Sequence, residues 1–108
     1  MTTITIVKSK TGEYQEITCT GHAGYAQAGS DIICSAISIL VINTINSLEQ
    51  LTKTDSVVTA DEKSGKIYLK LKRVDEKGIL LLDAMVLGLQ NVVAEYGRRY
   101  LKLIIKEV

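Results

Sequence analysis

The spacing of apolar residues in this 108-residue chain switches repeatedly between period two and a helical period, and the order of those switches limits the folds open to it. Thr3 to Val7 is rich in Thr, Ile and Val and is expected to be a strand. Gln15 to Thr20 alternates, with Ile17 and Cys19 on one face. The intervening Lys10-Thr11-Gly12-Glu13 is expected to turn the two into a hairpin, with Gly12 at positive φ. A long helix is expected from about Ile32 to Thr52, with Ser30 or Asp31 as N-cap. Its first half is apolar almost all round and is expected to pack on more than one side. Strands are expected at Ser56–Ala60 and Ile67–Lys72, and a second helix from Asp75 or Glu76 to Tyr96, closed by Gly97. Tyr100–Lys106 completes the order ββαββαβ. The expected class is α+β, one domain over residues 1–108, with a single sheet of four or five strands and two packed helices.

Aromatic residues make up only 5% of the chain, with no Trp or Phe, so its core must be aliphatic. The formal net charge of +1 is too balanced for a protein that works by coating nucleic acid or a charged membrane surface. Two cysteines cannot frame a disulfide-built miniprotein. The first eight residues lack the pattern of a signal peptide. The most apolar stretch, Ile32 to Leu51, is interrupted by Ser, Thr and Asn, so no membrane association is expected. A cytoplasmic setting fits these features, and there a thiol stays reduced.

Between the second strand and the first helix the periodicity stops. Gly21 to Ser30 holds three glycines and three alanines and is expected to be a lid-like loop, bending at Gly24 and Gly29. The chain's single histidine, His22, opens that loop, and Cys34 follows it in the expected first helical turn. A thiol there would lie among free backbone N–H groups at the positive end of the helix dipole, which lowers its pKa. A nearby imidazole could take the proton and return it to a leaving amine. The plainer reading makes Cys34 a small core hydrophobe and His22 a solvated loop residue.

The neighbours carry two readings each. Asp31 is a cap, or it orients His22. Ser38, one turn after Cys34, bonds back to the residue 34 carbonyl, or it lines a pocket. Tyr25 touches substrate, or it is an ordinary loop residue. Cys19 faces inward with Ile17 and reads as a buried structural thiol. A zinc site on Cys19, His22, Asp31 and Cys34 is disfavoured because Cys19 sits within a strand, so no metal and no cofactor is expected. Ten of the thirteen basic residues lie from Lys63 onward, with Lys70, Lys72, Lys102 and Lys106 pointing away from the core. They read as a solvated sheet face, the alternative being a docking surface for an acidic partner or RNA. No Gly-rich phosphate loop or pair of stacking aromatics supports nucleotide recognition, so no nucleic acid is required.

The run Gly21-His22-Ala23, then Gly29-Ser30-Asp31-Ile32-Ile33-Cys34-Ser35-Ala36-Ile37-Ser38, closely resembles the signature of the Prp family of ribosomal-processing cysteine proteases. The element order and length fit that family across essentially the whole chain, with Ile33 where Val is usual and Ser35 where Ala is usual. The resemblance implies a cysteine endopeptidase with Cys34 as nucleophile and His22 as general base. Gly21, Asp31 and Ser38 become supporting positions, and Gly24, Tyr25 and Gly29 belong to a loop that moves when substrate binds. It also implies the substrate, the precursor of bacterial large-subunit ribosomal protein L twenty-seven, whose N-terminal extension is removed after a Phe-rich motif. Members are cytoplasmic homodimers. The competing function is a non-catalytic, ribosome-associated binding module.

Overall fold

The computed structural model describes residues 1–21, 28–61 and 63–108, and the backbone alone over 28–31. Its elements are β1 (Thr2–Lys8), β2 (Tyr14–Thr20), α1 (Ala28–Leu51), β3 (Asp55–Asp61), β4 (Lys66–Arg73), α2 (Glu76–Tyr96) and β5 (Leu101–Glu107), in the expected order. The β-branched residues of β1 and the alternation of β2 form an antiparallel pair turned at Gly12, which sits at φ +86°. The sheet has five strands in the order β3-β4-β2-β1-β5. Neighbours are antiparallel except β1 and β5, which run parallel, so the sheet is mixed.

Period-two burial sends one side of every central strand to the helices. Ile4 and Ile6 of β1, Ile17 and Cys19 of β2, Leu69 and Leu71 of β4 and Leu101 of β5 are buried together. α1 meets them through Ile37, Val41, Thr44 and Leu48, and α2 through Leu82, Met85 and Leu89. These intervals of three and four residues lay one stripe of each helix on the sheet.

The cap signals of α2 hold. Asp75 Oδ1 accepts from Gly78 N at 2.9 Å, and Gly97 N donates to Val93 O at 2.8 Å. Those of α1 do not. The helix starts at Ala28, so Gly29, Ser30 and Asp31 belong to its first turn, and Asp31 is not the N-cap. Ala is the strongest helix former, and an acidic residue is as favourable inside the first turn as in front of it. α1 also does not pack on several sides: Ile32, Ile39 and Ile42 are exposed. Leu80 and Leu87 of α2 are likewise exposed, so the helical layer keeps an apolar outer surface. Contrary to the sequence expectation, the polar interruptions do not disqualify the helices by composition. Ile32–Leu51 and Glu76–Tyr96 are each long and apolar enough to cross a bilayer by that measure, and here each lays its buried stripe on the sheet. On β5, Leu101 is buried and Leu103 partly so, whereas Ile105, two residues further along the same face, is exposed.

Candidate active site

The sheet end that carries the start of β1 and the end of β2 also receives the start of α1, because the chain passes from Thr20 through Gly21 into that helix. Gly21 has φ +72°, a conformation that a side chain makes costly, and a Cβ there would stand 2.5 Å from the Met1 carbonyl oxygen. Glycine thus lets β2 leave the sheet tight against Met1, the residue before β1.

Cys34 heads the buried stripe of α1 and is only 4% exposed. Thr2, also buried, directs its Oγ1 at Cys34 Sγ from 4.0 Å, and Thr2 N donates to the Tyr100 carbonyl at 3.0 Å. Cys34 therefore lies where β1, β5 and α1 converge. It is the seventh residue of the helix and not the third. The free N–H groups belong to the first four residues and the dipole's influence fades within the first turn, so the helix-start argument for an ionised thiol fails. An oxyanion cannot draw on free N–H groups of the Cys34 turn either, because that turn is already inside the helical ladder.

Ser38, one turn on, lines a cleft of about 220 Å³. Cys19 and Gly21 of the β2 end, and Ala60, Asp61, Gly65, Lys66 and Ile67 of the β3–β4 hairpin, complete its wall. The back-bond expected of Ser38 is the geometry of Thr44 further along α1 and of Thr52 just after it, whose hydroxyls donate to Leu40 O at 2.7 Å and Leu48 O at 2.6 Å. The hairpin tip is held by Asp61, whose Oδ1 accepts from Lys63 N at 3.0 Å and whose carbonyl accepts from Gly65 N at 2.8 Å. Nothing in the sequence pattern tied this hairpin to the site, since the strand order that brings it beside β2 is a tertiary property. The floor is apolar and the rim carries one acid, Asp61, and one base, Lys66.

His22, Gly24 and Tyr25 lie outside the described residues. Cys19 is buried in the core, and burial raises its thiol pKa, which keeps it protonated and unreactive. Among the described residues no three His, Cys, Asp or Glu gather as metal ligands. Of the expected basic residues, Lys70, Lys72, Lys102 and Lys106 are all exposed.

A family model described as cysteine protease Prp matches residues 1–102. The ribosomal processing cysteine protease Prp of Staphylococcus aureus is 25% identical over 98 residues, spanning 90% of this chain and 92% of the relative. That of Bacillus subtilis is 24% identical over 82 residues, or 71% and 73% of the two chains. The crystal structure of the S. aureus protease with a substrate peptide superposes with a TM-score of 0.86 at 25% identity, covering 98% of this chain and all of the other. A Streptococcus mutans protein gives a TM-score of 0.88 at 32% identity, covering 100% and 96%.

Proposed function

The chain belongs to the Prp family of cysteine proteases, and from that membership we propose that Cys34 is its nucleophile and His22 its general base. The proposed substrate is the precursor of large-subunit ribosomal protein L twenty-seven, whose N-terminal extension the enzyme removes in the cytoplasm. The observation that carries the reading is the position of Cys34: it stands at the end of the sheet, one helical turn before Ser38, which lines the cleft beside the β3–β4 hairpin.

The reaction follows from those groups. His22 accepts the Cys34 thiol proton, and the thiolate attacks the scissile carbonyl. The imidazolium gives the proton to the departing amine as the C–N bond breaks. Water then hydrolyses the thioester and restores the thiol. With the helix-start argument gone, ionisation of Cys34 rests on His22, and the hydroxyl of Thr2 is the described group aimed at the sulfur. Gly21 and Asp31 support this arrangement through the backbone, Gly21 by its left-handed turn and Asp31 from the first turn of α1. Gly29 shares that turn, and Gly24 and Tyr25 are assigned to substrate contact by family resemblance. The apolar outer surface of the helical layer supports a homodimer, as the resemblance also implies.

The test is cleavage of a peptide spanning the extension junction by wild type, Cys34→Ala, Cys34→Ser and His22→Ala. Cleavage by all three variants is expected to fall to background. Undiminished cutting by Cys34→Ala would eliminate the reading. Alkylation gives the second readout: Cys34 is expected to react faster than Cys19, and His22→Ala to slow it.

A further inference from the structure

The five-stranded sheet has helices on one face only, because every buried strand residue and both helical stripes lie on the same side. The register of the other face can be read across four strands. One row runs Lys70, Glu16, Val7, Lys106, each paired with the next. The middle row runs Tyr68, Thr18, Thr5, Ile104. In the last row Thr20 pairs with Thr3 and Thr3 with Lys102, while Lys66 precedes Ile67, the partner of Cys19. Lysines therefore occupy all four corners, and all four are exposed. Three strand spacings separate the two lysine edges by about 14 Å, and the four-residue step along each edge is about 13 Å.

We propose that this helix-free face binds single-stranded RNA, with Lys66, Lys70, Lys102 and Lys106 on the phosphates and Tyr68 as the platform for a base. The chain as a whole carries a net charge of only +1, yet this face sets four lysines against one carboxylate inside the grid, Glu16. Glu16 is engaged, accepting the Tyr68 hydroxyl, which also fixes the ring in the middle row, on the β4 side of the grid. Asp61, paired with Lys66 from the edge strand β3, is the second acid nearby and bonds the hairpin backbone. The floor between the lysine edges is threonine, whose hydroxyls can meet ribose 2′-OH groups. A sheet face with a basic border and a half-exposed ring can serve as a stacking platform for an unpaired strand. An acidic peptide would satisfy the lysines but leave the ring and the threonine floor without complementary partners. The linear sequence displays the basic skew and not this arrangement, which exists only once β5 is placed beside β1 and β4 beside β2.

The test is fluorescence anisotropy with labelled decauridylate, titrated at several salt concentrations. Four phosphate contacts predict a slope of log affinity against log salt of about −2.8, a loss of about 50-fold between 50 and 200 mM. Lys70→Ala, Lys102→Ala and Lys106→Ala should each reduce the slope by about 0.7. Tyr68→Ala should weaken binding by about tenfold, with Tyr68→Phe close to wild type. Lys53→Ala and Lys77→Ala, at the junction of α1 with β3 and at the start of α2, should change nothing. The proposal is overturned if the probe does not bind at 50 mM salt, if the face variants leave the slope unchanged, or if a polyglutamate peptide competes as well as unlabelled decauridylate.

Discussion

At the scale of single residues, two side chains are fixed by contacts that titration or substitution can expose. Tyr14 is buried and donates its hydroxyl to Asp83 Oδ1 at 2.5 Å, while Lys8 Nζ stands 4.4 Å from its ring centroid. Burial, then the hydrogen bond to Asp83 and its charge, raise the phenol's pKa far above its ordinary 10.0. A raised folded pKa contributes stability that is complete below the unfolded value and is lost as pH climbs through the folded one. Tyr14→Phe keeps the ring and should cost about 1 kcal/mol at neutral pH. That gap should narrow above pH 10, as urea denaturation of both proteins at pH 8 and pH 11 would measure. Gly21 is the second case. Its φ of +72° and the Met1 carbonyl 2.5 Å from a built Cβ make Gly21→Ala destabilising by more than about 1 kcal/mol, read as a lower denaturation midpoint. A signature glycine in the sequence thus has a backbone reason. The burial of Cys34 had no such signal, because a thiol reads alike in a core and in a site.

The two helices show which element boundaries a sequence can carry. α2 was legible at both ends because its cap residues act alone: Asp75 satisfies free N–H groups and Gly97 ends the ladder. Ser30 and Asp31 look equally good as caps for α1, but the ladder begins two residues earlier, at Ala28, and strings of cap-type residues do not say which one is outside the helix. Asp75 also ties elements together. Its Oδ1 accepts from Thr54 Oγ1 at 2.9 Å and its Oδ2 from Lys53 N at 3.1 Å, so one carboxylate joins the start of α2 to the end of the α1–β3 connection. The Lys53 N–H, with the Gly78 N–H and the Thr54 hydroxyl, holds the carboxyl below its ordinary 3.8 despite partial desolvation. A lowered folded pKa gives stability that is present above the unfolded value and fades as pH falls through the folded one. Asp75→Ala should lower Tm at pH 7 by on the order of 5 °C. The wild-type and variant melting curves should converge below pH 3.8, a result that scanning calorimetry across the acid range would check.

On the scale of the whole molecule, the order of strands and the single-sided helical layer decide what each apolar residue contributes, and neither is written in local periodicity. In the first half of α1 the sequence is apolar almost all round, so Ile37 and Ile39 read as equivalent. The fold separates them. Ile37 lies on the stripe with Cys34, Val41 and Leu48 and is 0% exposed, whereas Ile39 points away from the sheet and is 66% exposed. Truncating a buried isoleucine removes its transfer free energy and leaves a cavity in a core that is aliphatic apart from Tyr14. Ile37→Ala should therefore cost about 2–5 kcal/mol. Ile39→Ala should stay within about 0.5 kcal/mol in the dilute monomer. Measured by urea denaturation over a range of protein concentrations, the pair also tests the homodimer. If a second copy covers the helical layer, the cost of Ile39→Ala grows with protein concentration, because association adds a stability that depends on mass action, while the cost of Ile37→Ala stays constant. Equal costs for the two substitutions at low concentration would mean that α1 does not lie on the sheet through the stripe that places Cys34 at the sheet end.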